Sequence, residues 1–452
     1  MPDVTRQTVL FPDLAKPTVV AFDAEATSSD GGLVLLRQLD DRLGLTGALA
    51  GEITELRQEG KIQHPMLDLV RQRVFGIALG YADCNDGTRL RHDGMFKLAL
   101  DRDPVDGREL ASQPVLSRFE NGVRGRDLVR AMRRQEEIVL AHFAHHHRRA
   151  RQVVLDFDGT EDQTHGQQHF SGFNAYYDSH CFQPMLGFVS VDDAPDQYLF
   201  FARLRPGRTR GTHAVIPALR RAVRFLRAAM PKTRICVRLD GGFSNPRLLE
   251  VLEELRVRYA IGQPKNAVLQ RGSAIWQAVA RHTAEINHPE RQFFGELTYR
   301  AGSWCRERRV IYKAETVEHD GREPKDNTRY VVTNFRGRPQ RVYAWYCQRA
   351  NTENRIKELK LELQLDRTSC TRYLANQLRV TMTAIAYALL QELRRGLRDT
   401  ELRSAQVGRL QLVLLKVAAR ITSSVRRIVL HLPTSYPWRG LWQHAASFCL
   451  VT

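Results

Sequence analysis

Two apolar runs that each end in Asp-Gly constrain this chain more than any other feature. Gln152 to Phe157 reads Q-V-V-L-D-F and runs into Asp158-Gly159-Thr160; Arg234 to Leu239 reads R-I-C-V-R-L and runs into Asp240-Gly241-Gly242. β-Branched and aliphatic runs of this length, bounded by glycine turns, predict buried strands. Phe182 to Val191, Gln197 to Leu204, Arg258 to Gly262 and Arg329 to Thr333 read as further strands, and His213 to Met230 and Pro246 to Leu255 as helices. Strands and helices in this order predict an α/β core. Asp158 and Asp240 then fall at strand ends, where sites of α/β proteins form, although Asp before Gly is also ordinary turn chemistry.

The flanks read differently. Residues 30–150 are predicted to be mainly helical: Leu33 to Leu45 after Gly31-Gly32, a run from Pro65 to Leu79, and Asp127 to Ala144 after a turn-bounded Ser117 to Asn121. Between 265 and 327 the pattern weakens, and the alternation of Gln292 to Tyr299 and Arg306 to Glu315 predicts antiparallel strands, hence a β-rich insertion. Helices are predicted over Val342 to Leu363, Tyr373 to Leu397 and Leu402 to Val425. The expected layout is a helical N-terminal domain (1–150), a core in two parts (151–264 and 328–397) around the insertion (265–327), and a helical C-terminal region (398–452).

Charge narrows the partner. The 452 residues carry 68 Lys and Arg against 50 Asp and Glu, a net +18. Such a surplus points to a polyanion, most simply nucleic acid. It is uneven: residues 1–150 hold 21 basic and 22 acidic side chains, residues 341–452 hold 18 and 7. Local basic runs at Arg118 to Arg134 and His145 to Arg151 are as consistent with solvated helix faces as with DNA contact. Seven scattered cysteines with no C-x-x-C pair argue against a disulfide framework and a cysteine zinc site, and fit a reducing cytosol. Met1 to Asp13 has no apolar secretory core. Val380 to Leu390 is too short to span a bilayer and reads as a buried helix. No membrane association is expected.

Tyr346, Arg349, Glu353 and Lys360 are spaced so that, on one continuous helix, all four share a narrow stripe, with Lys357 beside it. One carboxylate among three cations and a phenol is unusual, though a salt-bridged surface face reads similarly. This Y-(2)-R-(3)-E-(6)-K spacing resembles the signature of bacterial insertion-sequence DDE transposases. So do L-D-F-D-G-T at Leu155 to Thr160 with H-G-Q-Q at His165 to Gln168, R-L-D-G-G-F at Arg238 to Phe243, and E-N-R-I-K-E-L-K at Glu353 to Lys360. D-G-G-L-V-L-L at Asp30 to Leu36, I-A-L-G-Y-A-D at Ile77 to Asp83 and S-Q-P-V-L-S-R at Ser112 to Arg118 extend the resemblance to the insertion-sequence-1380 branch, also called transposase DDE domain group 1.

The resemblance implies an RNase H-like core in which the first and fourth strands lie side by side, so that Asp158 and Asp240 meet and a later helix brings Glu353 over them. It implies two Mg²⁺ ions, with Mn²⁺ as a substitute, held by these three carboxylates, and phosphate contacts from Tyr346, Arg349, Lys357 and Lys360. It implies cut-and-paste transposition in the bacterial cytoplasm, at the nucleoid: cleavage at terminal inverted repeats and strand transfer into target DNA, within a synaptic homodimer. The N-terminal domain would read the inverted-repeat ends. A catalytically silent DNA-binding relative and a nuclease without joining activity are the alternatives. Asp156 and Asp158 alternate onto one strand face, and either could be the first ligand. Glu161 and Asp162 read as loop acids, Glu358 and Glu362 as solvated, and His145, His146 and His147 as exposed. Trp304 is a candidate ring for an extruded base, or part of the insertion core.

Overall fold

The computed structural model describes residues 9–450 apart from 12, 14, 25, 192, 193, 195, 210, 211, 213, 287, 320 and 321, so His213 and much of Met1 to Asp13 lie outside the described residues. The chain divides into two compact units, one of residues 1–51, 55–122 and 392–452, the other of 52–54 and 123–391.

The first unit packs helices Leu33–Leu43, Leu45–Glu52, Met66–Ala78, Gln113–Gly122 and Arg439–Leu450 with a small antiparallel sheet, ordered Ile428–His431, Ala419–Ser423, Thr27–Ser28. Ser117 to Asn121, read as a turn-bounded segment, lies inside the helix Gln113–Gly122. The expected C-terminal helix over Leu402 to Val425 is largely absent: Val407–Leu410 is one α-helical turn, Gln411–Leu415 is π-helical, and the chain then enters strand Ala419–Ser423. Arg420 and Thr422 alternate with the buried Ala419 and Ile421 at the period of a strand, which the helical reading overlooked. The Gly31-Gly32 pair has a packing reason. Gly31 and Gly32 donate to the carbonyls of Val417 (2.8 Å) and Leu415 (3.1 Å), and a methyl at Gly32 would overlap the backbone of Leu414.

The second unit is built on a mixed sheet. Its main strands are β1 (Gln152–Gly159), β2 (Met185–Val191), β3 (Gln197–Arg203), β4 (Arg234–Leu239), β5 (Arg258–Gln263), β6 (Gln292–Tyr299), β7 (Arg308–His319) and β8 (Arg329–Thr333). They run in the order β6-β7-β8-β5-β4-β1-β2-β3, with Arg322–Asp326 paired to β7. β4 is parallel to β1 and β5, and the other neighbours are antiparallel. Val153, Leu155 and Phe157 are fully buried, each contributing about 1.5–3 kcal/mol by leaving water. A central strand buried on both faces loses the alternation of a half-exposed one, which is why β1 and β4 stand out in the sequence.

The helices of this unit are α1 (Gly125–His146), α2 (Val215–Ala229), α3 (Pro246–Glu254), α4 (Ala267–Glu285), α5 (Pro339–Cys347), α6 (Ala350–Leu361) and α7 (Tyr373–Gly396). The division between units falls inside α7, after Gln391. Helix α4, 19 residues long, occupies part of the segment read as β-rich. Asn266 caps it by accepting from Val268 and Leu269, and it packs on β6 and β7, which extend the main sheet. The helix expected over Val342 to Leu363 is two helices. Between them Gln348 and Arg349 donate to the carbonyls of Trp345 and Tyr346, a tighter i to i−3 pattern that resets the helical phase. Among the described residues no helix is long and apolar enough to cross a membrane. All seven cysteines are free.

Candidate active site

The site is assembled by strand register. β1 and β4 pair with Asp156 opposite Arg238 and Phe157 opposite Leu239. Continued by one residue, that register sets Asp158 opposite Asp240. Asp158 does not end its strand, as expected from sequence: β1 runs through Gly159, and Asp158 pairs with Leu186 of β2. Asp240 directly follows β4, and its carboxylate caps the Gly241–Phe243 turn by accepting from Gly242 (3.0 Å).

Arg349, at the N-cap of α6, closes the cluster. Its Nη1 donates to Asp158 Oδ2 (2.9 Å) and its Nη2 to Glu353 Oε1 (2.6 Å). Asp158 is nearly buried, while the Glu353 side chain is 48% exposed. Burial pushes the Asp158 carboxyl up to about 7, with Arg349 opposing and Asp240 adding to the rise. Asp240 is raised for the same first reason. Burial alone would lower the pKa of Arg349, but Asp158, Tyr346, Glu353 and Asp240 hold it above the usual value. These carboxylates therefore repel one another beside a single guanidinium.

Asp156 has a different partner. Arg238 binds it through two hydrogen bonds (2.9 and 2.8 Å), both side chains being buried. The same guanidinium lies over Trp345, 5.1 Å from its ring centre, and donates to Trp345 O and Gln348 Oε1 (3.2 Å each). The Asp156–Arg238 pair thus ties the sheet to the break between α5 and α6, which carries Arg349. A charged residue inside each apolar run was the available sequence signal, since a buried charge needs a partner.

The remaining predicted residues are distributed around this cluster. Tyr346 belongs to α5, not to the helix of Glu353, so the shared stripe does not exist as one helix face. Its hydroxyl still approaches Gly262, where a methyl would lie 2.8 Å from it. Tyr346, Arg349 and Glu353 line a cleft of about 500 Å³ with Gly241, Lys265 and Arg329. Lys360 donates to Glu161 O (2.9 Å) and pairs with Asp366, while Lys357 is exposed. Glu358 is buried against Arg355 and Tyr387, contrary to the solvated reading. Trp304 is 3% exposed, edge-on to Tyr299 and beneath Arg308, so it has no face for a base. His145 and His146 are exposed, and His147 half-buried.

Asp162, read as a loop acid, is fully buried and accepts from Thr368 Oγ1 (3.0 and 2.8 Å). Burial pushes its carboxyl up to about 8, against an ordinary 3.8, with the Thr368 hydrogen bond opposing. Between those values the folded state keeps a proton that the unfolded chain releases. Its contribution to stability is therefore present at low pH and lost as pH rises toward about 8. Asp162→Asn is expected to flatten the pH dependence of the urea midpoint between about pH 5 and pH 8; an unchanged slope would contradict the assignment.

Asp158 and Glu353 bonded to one guanidinium, with Asp240 acting on it electrostatically from the adjacent strand, define an acidic α/β site with hard oxygen donors. The family model described as transposase DDE domain group 1 matches residues 11–449, and the chain belongs to that family. No curated protein matched the chain.

Proposed function

We propose that this chain is an active DNA transposase of the insertion-sequence-1380 branch, cutting at terminal inverted repeats and joining the freed ends to target DNA. The observation that carries the proposal is the convergence of Asp158 and Glu353 on Arg349, with Asp240 on the next rung of the sheet. The order β3-β2-β1-β4-β5, antiparallel over the first three strands and parallel across β1, β4 and β5, supports reading the core as RNase H-like. Residues 265–327 would then be the insertion before the helix that bears Glu353.

The donor set fits the expected metal. Mg²⁺ takes carboxylate oxygens and retains water, and Arg349 stands where compensating positive charge is needed. Asp158, Asp240 and Glu353 would hold two Mg²⁺, or Mn²⁺, which supply Lewis acidity to an in-line displacement at phosphorus. Arg349, relieved of its carboxylates, is then available to a phosphate, to which its planar fork is matched. Tyr346 would orient the same backbone from α5, and Lys357 and Lys360 would contact the flanking phosphates, Lys360 after giving up its hold on Glu161. Synapsis of two ends calls for a homodimer. The N-terminal residues and the +11 carried by residues 341–452 supply DNA contacts.

Protein incubated with pre-cut ends, a target plasmid and Mg²⁺ should yield joined products. Nicking without joining would leave a nuclease, and binding without either would leave a silent relative. Cation uptake should also depend on pH. With Asp158 near 7, a cation displaces a proton below that pH, so affinity should fall by up to about tenfold per pH unit below about pH 7. Calorimetric titration between pH 5.5 and 8 checks this, and a pH-independent affinity would contradict displacement of a proton from Asp158 by the cation.

A further inference from the structure

A second feature of the same region is a half-buried guanidinium with no counter-charge among the described residues. Between β1 and β2 the chain forms a small sheet, ordered Asp162–Gln163, Ser179–Phe182, Gly172–Asn174. The segment after β3 locks onto it. Gly207 donates to Phe170 O (3.2 Å), Asn174 and Gln183 side chains donate to Gly207 O (3.2 and 2.6 Å), and Arg205 Nε donates to Gln183 O (2.9 Å). A side chain at Gly207 would overlap the carbonyl of Cys181, so the close approach requires glycine.

Arg205 has no other protein acceptor and no carboxylate partner among the described residues. Burial lowers its pKa, and only the phenols of Tyr177 and Tyr373 oppose that. Its Nη2 would lie 3.2 Å from a methyl placed on Gly159. Successive residues of a strand face opposite ways, so Arg205 approaches β1 from the side away from Asp158. Holding a guanidinium partly out of water without an anion is costly, and a DNA phosphate is the anion that the neighbouring site would bring.

The hairpin also exposes a ring. Tyr176 is 87% exposed and edge-on to Tyr177 at 4.9 Å; Phe170 and Phe173, edge-on to Tyr373 and His180, are exposed to a lesser extent, 65% and 45%. Tyr177 links the two, acting electrostatically on Arg205 and touching the ring of Tyr176; an exposed aromatic near a phosphate-binding cation is the pairing that holds unpaired nucleotides without sequence preference.

We propose that Arg205 takes a DNA phosphate next to the linkage handled at Asp158, and that Tyr176 stacks on the unpaired base joined to it. The proposal rests on the transposase reading. It places an additional DNA contact on the opposite face of β1, so that one strand is gripped on both sides of the site.

The test uses the full chain in EDTA with two fluorescein-labelled duplexes, one blunt and one with a short single-stranded tail, titrated at several KCl concentrations. Arg205→Gln keeps a donor for Gln183 O and loses the charge. It should weaken binding about tenfold and reduce the slope of log affinity against log salt by about one, while Arg205→Lys keeps the slope. Tyr176→Ala should weaken the tailed duplex about tenfold and leave the blunt one unchanged. An unchanged slope in a folded Arg205→Gln, verified by its thermal melt, would overturn the phosphate contact. Equal losses on both duplexes for Tyr176→Ala would overturn the stacking. Should Arg205→Gln fail to fold, the neutral Arg205→Met is read in its place, and folding lost in both would make Arg205 a structural anchor and overturn the proposal. Cleavage by the parent protein in Mg²⁺ is measured in parallel: its absence would sink the transposase reading, whereas an unaltered salt slope sinks this inference alone.

Discussion

Asp240→Asn is expected to fold like the parent and to lose divalent-dependent DNA cleavage by roughly 10³-fold, the rate equivalent of several kcal/mol of charge stabilisation. Two features of the structure separate folding from chemistry here. The role of Asp240 in its turn is to accept from Gly242 N, which the Asn side-chain oxygen does equally well. Burial also disfavours the charge on Asp240, so a neutral isostere removes an ionised group that the fold does not need. What is lost is one of three anionic oxygen donors. The measurement is nicking of a plasmid carrying the flanking DNA, in Mg²⁺ and in Mn²⁺, beside a urea unfolding curve. Full cleavage by a folded variant would remove Asp240 from the mechanism, and with it the three-carboxylate site.

Asp156→Asn should do the opposite. It lies two residues before Asp158 on the same face of β1, yet its loss leaves Arg238 buried without its counter-charge. Breaking one side of a buried pair costs about 3–5 kcal/mol, a large part of the stability of an ordinary domain. The damage should spread to α6, because Arg238 also donates to Trp345 O and Gln348 Oε1 at the break before Arg349. Urea midpoints for Asp156→Asn and Asp158→Asn should therefore diverge, with the Asp158 variant close to the parent. Equal stability of the two would mean that the Asp156–Arg238 pair does not hold the junction.

The contrast between these two aspartates shows how far the sequence could be read. Both are acids in one apolar strand, separated by one residue, and alternation puts them on the same face. In the sequence only the Gly-Thr after Asp158, matching the motif block that it resembles, favours Asp158 over Asp156. The distinction comes from Arg238, 82 positions downstream, and from Arg349, 191 positions beyond Asp158. The Y-(2)-R-(3)-E-(6)-K spacing was read on one continuous helix, and the structure does not have that helix. A continuous helix would align all four, but the chain breaks at Gln348–Arg349, and Tyr346 reaches the cleft from a separate helix. Trp304, open to a role in base binding from sequence, is buried under Arg308.

Local pattern marked the central strands, because burial on both faces leaves β1 and β4 mostly apolar, with Asp156, Asp158 and Arg238 as charged exceptions, although β1 runs on through Gly159 where a turn was expected. The motifs around Asp158, Asp240 and Glu353 carried the resemblance to the family whose model matches residues 11–449. Only the tertiary structure decided which aspartate faces Arg349, where the late helix breaks, and that the C-terminal region contains a sheet. The physical reason is range. Periodicity records how a side chain alternates between water and core within a few residues, whereas the partner that neutralises a buried charge is chosen by strand register and packing between segments far apart in the chain.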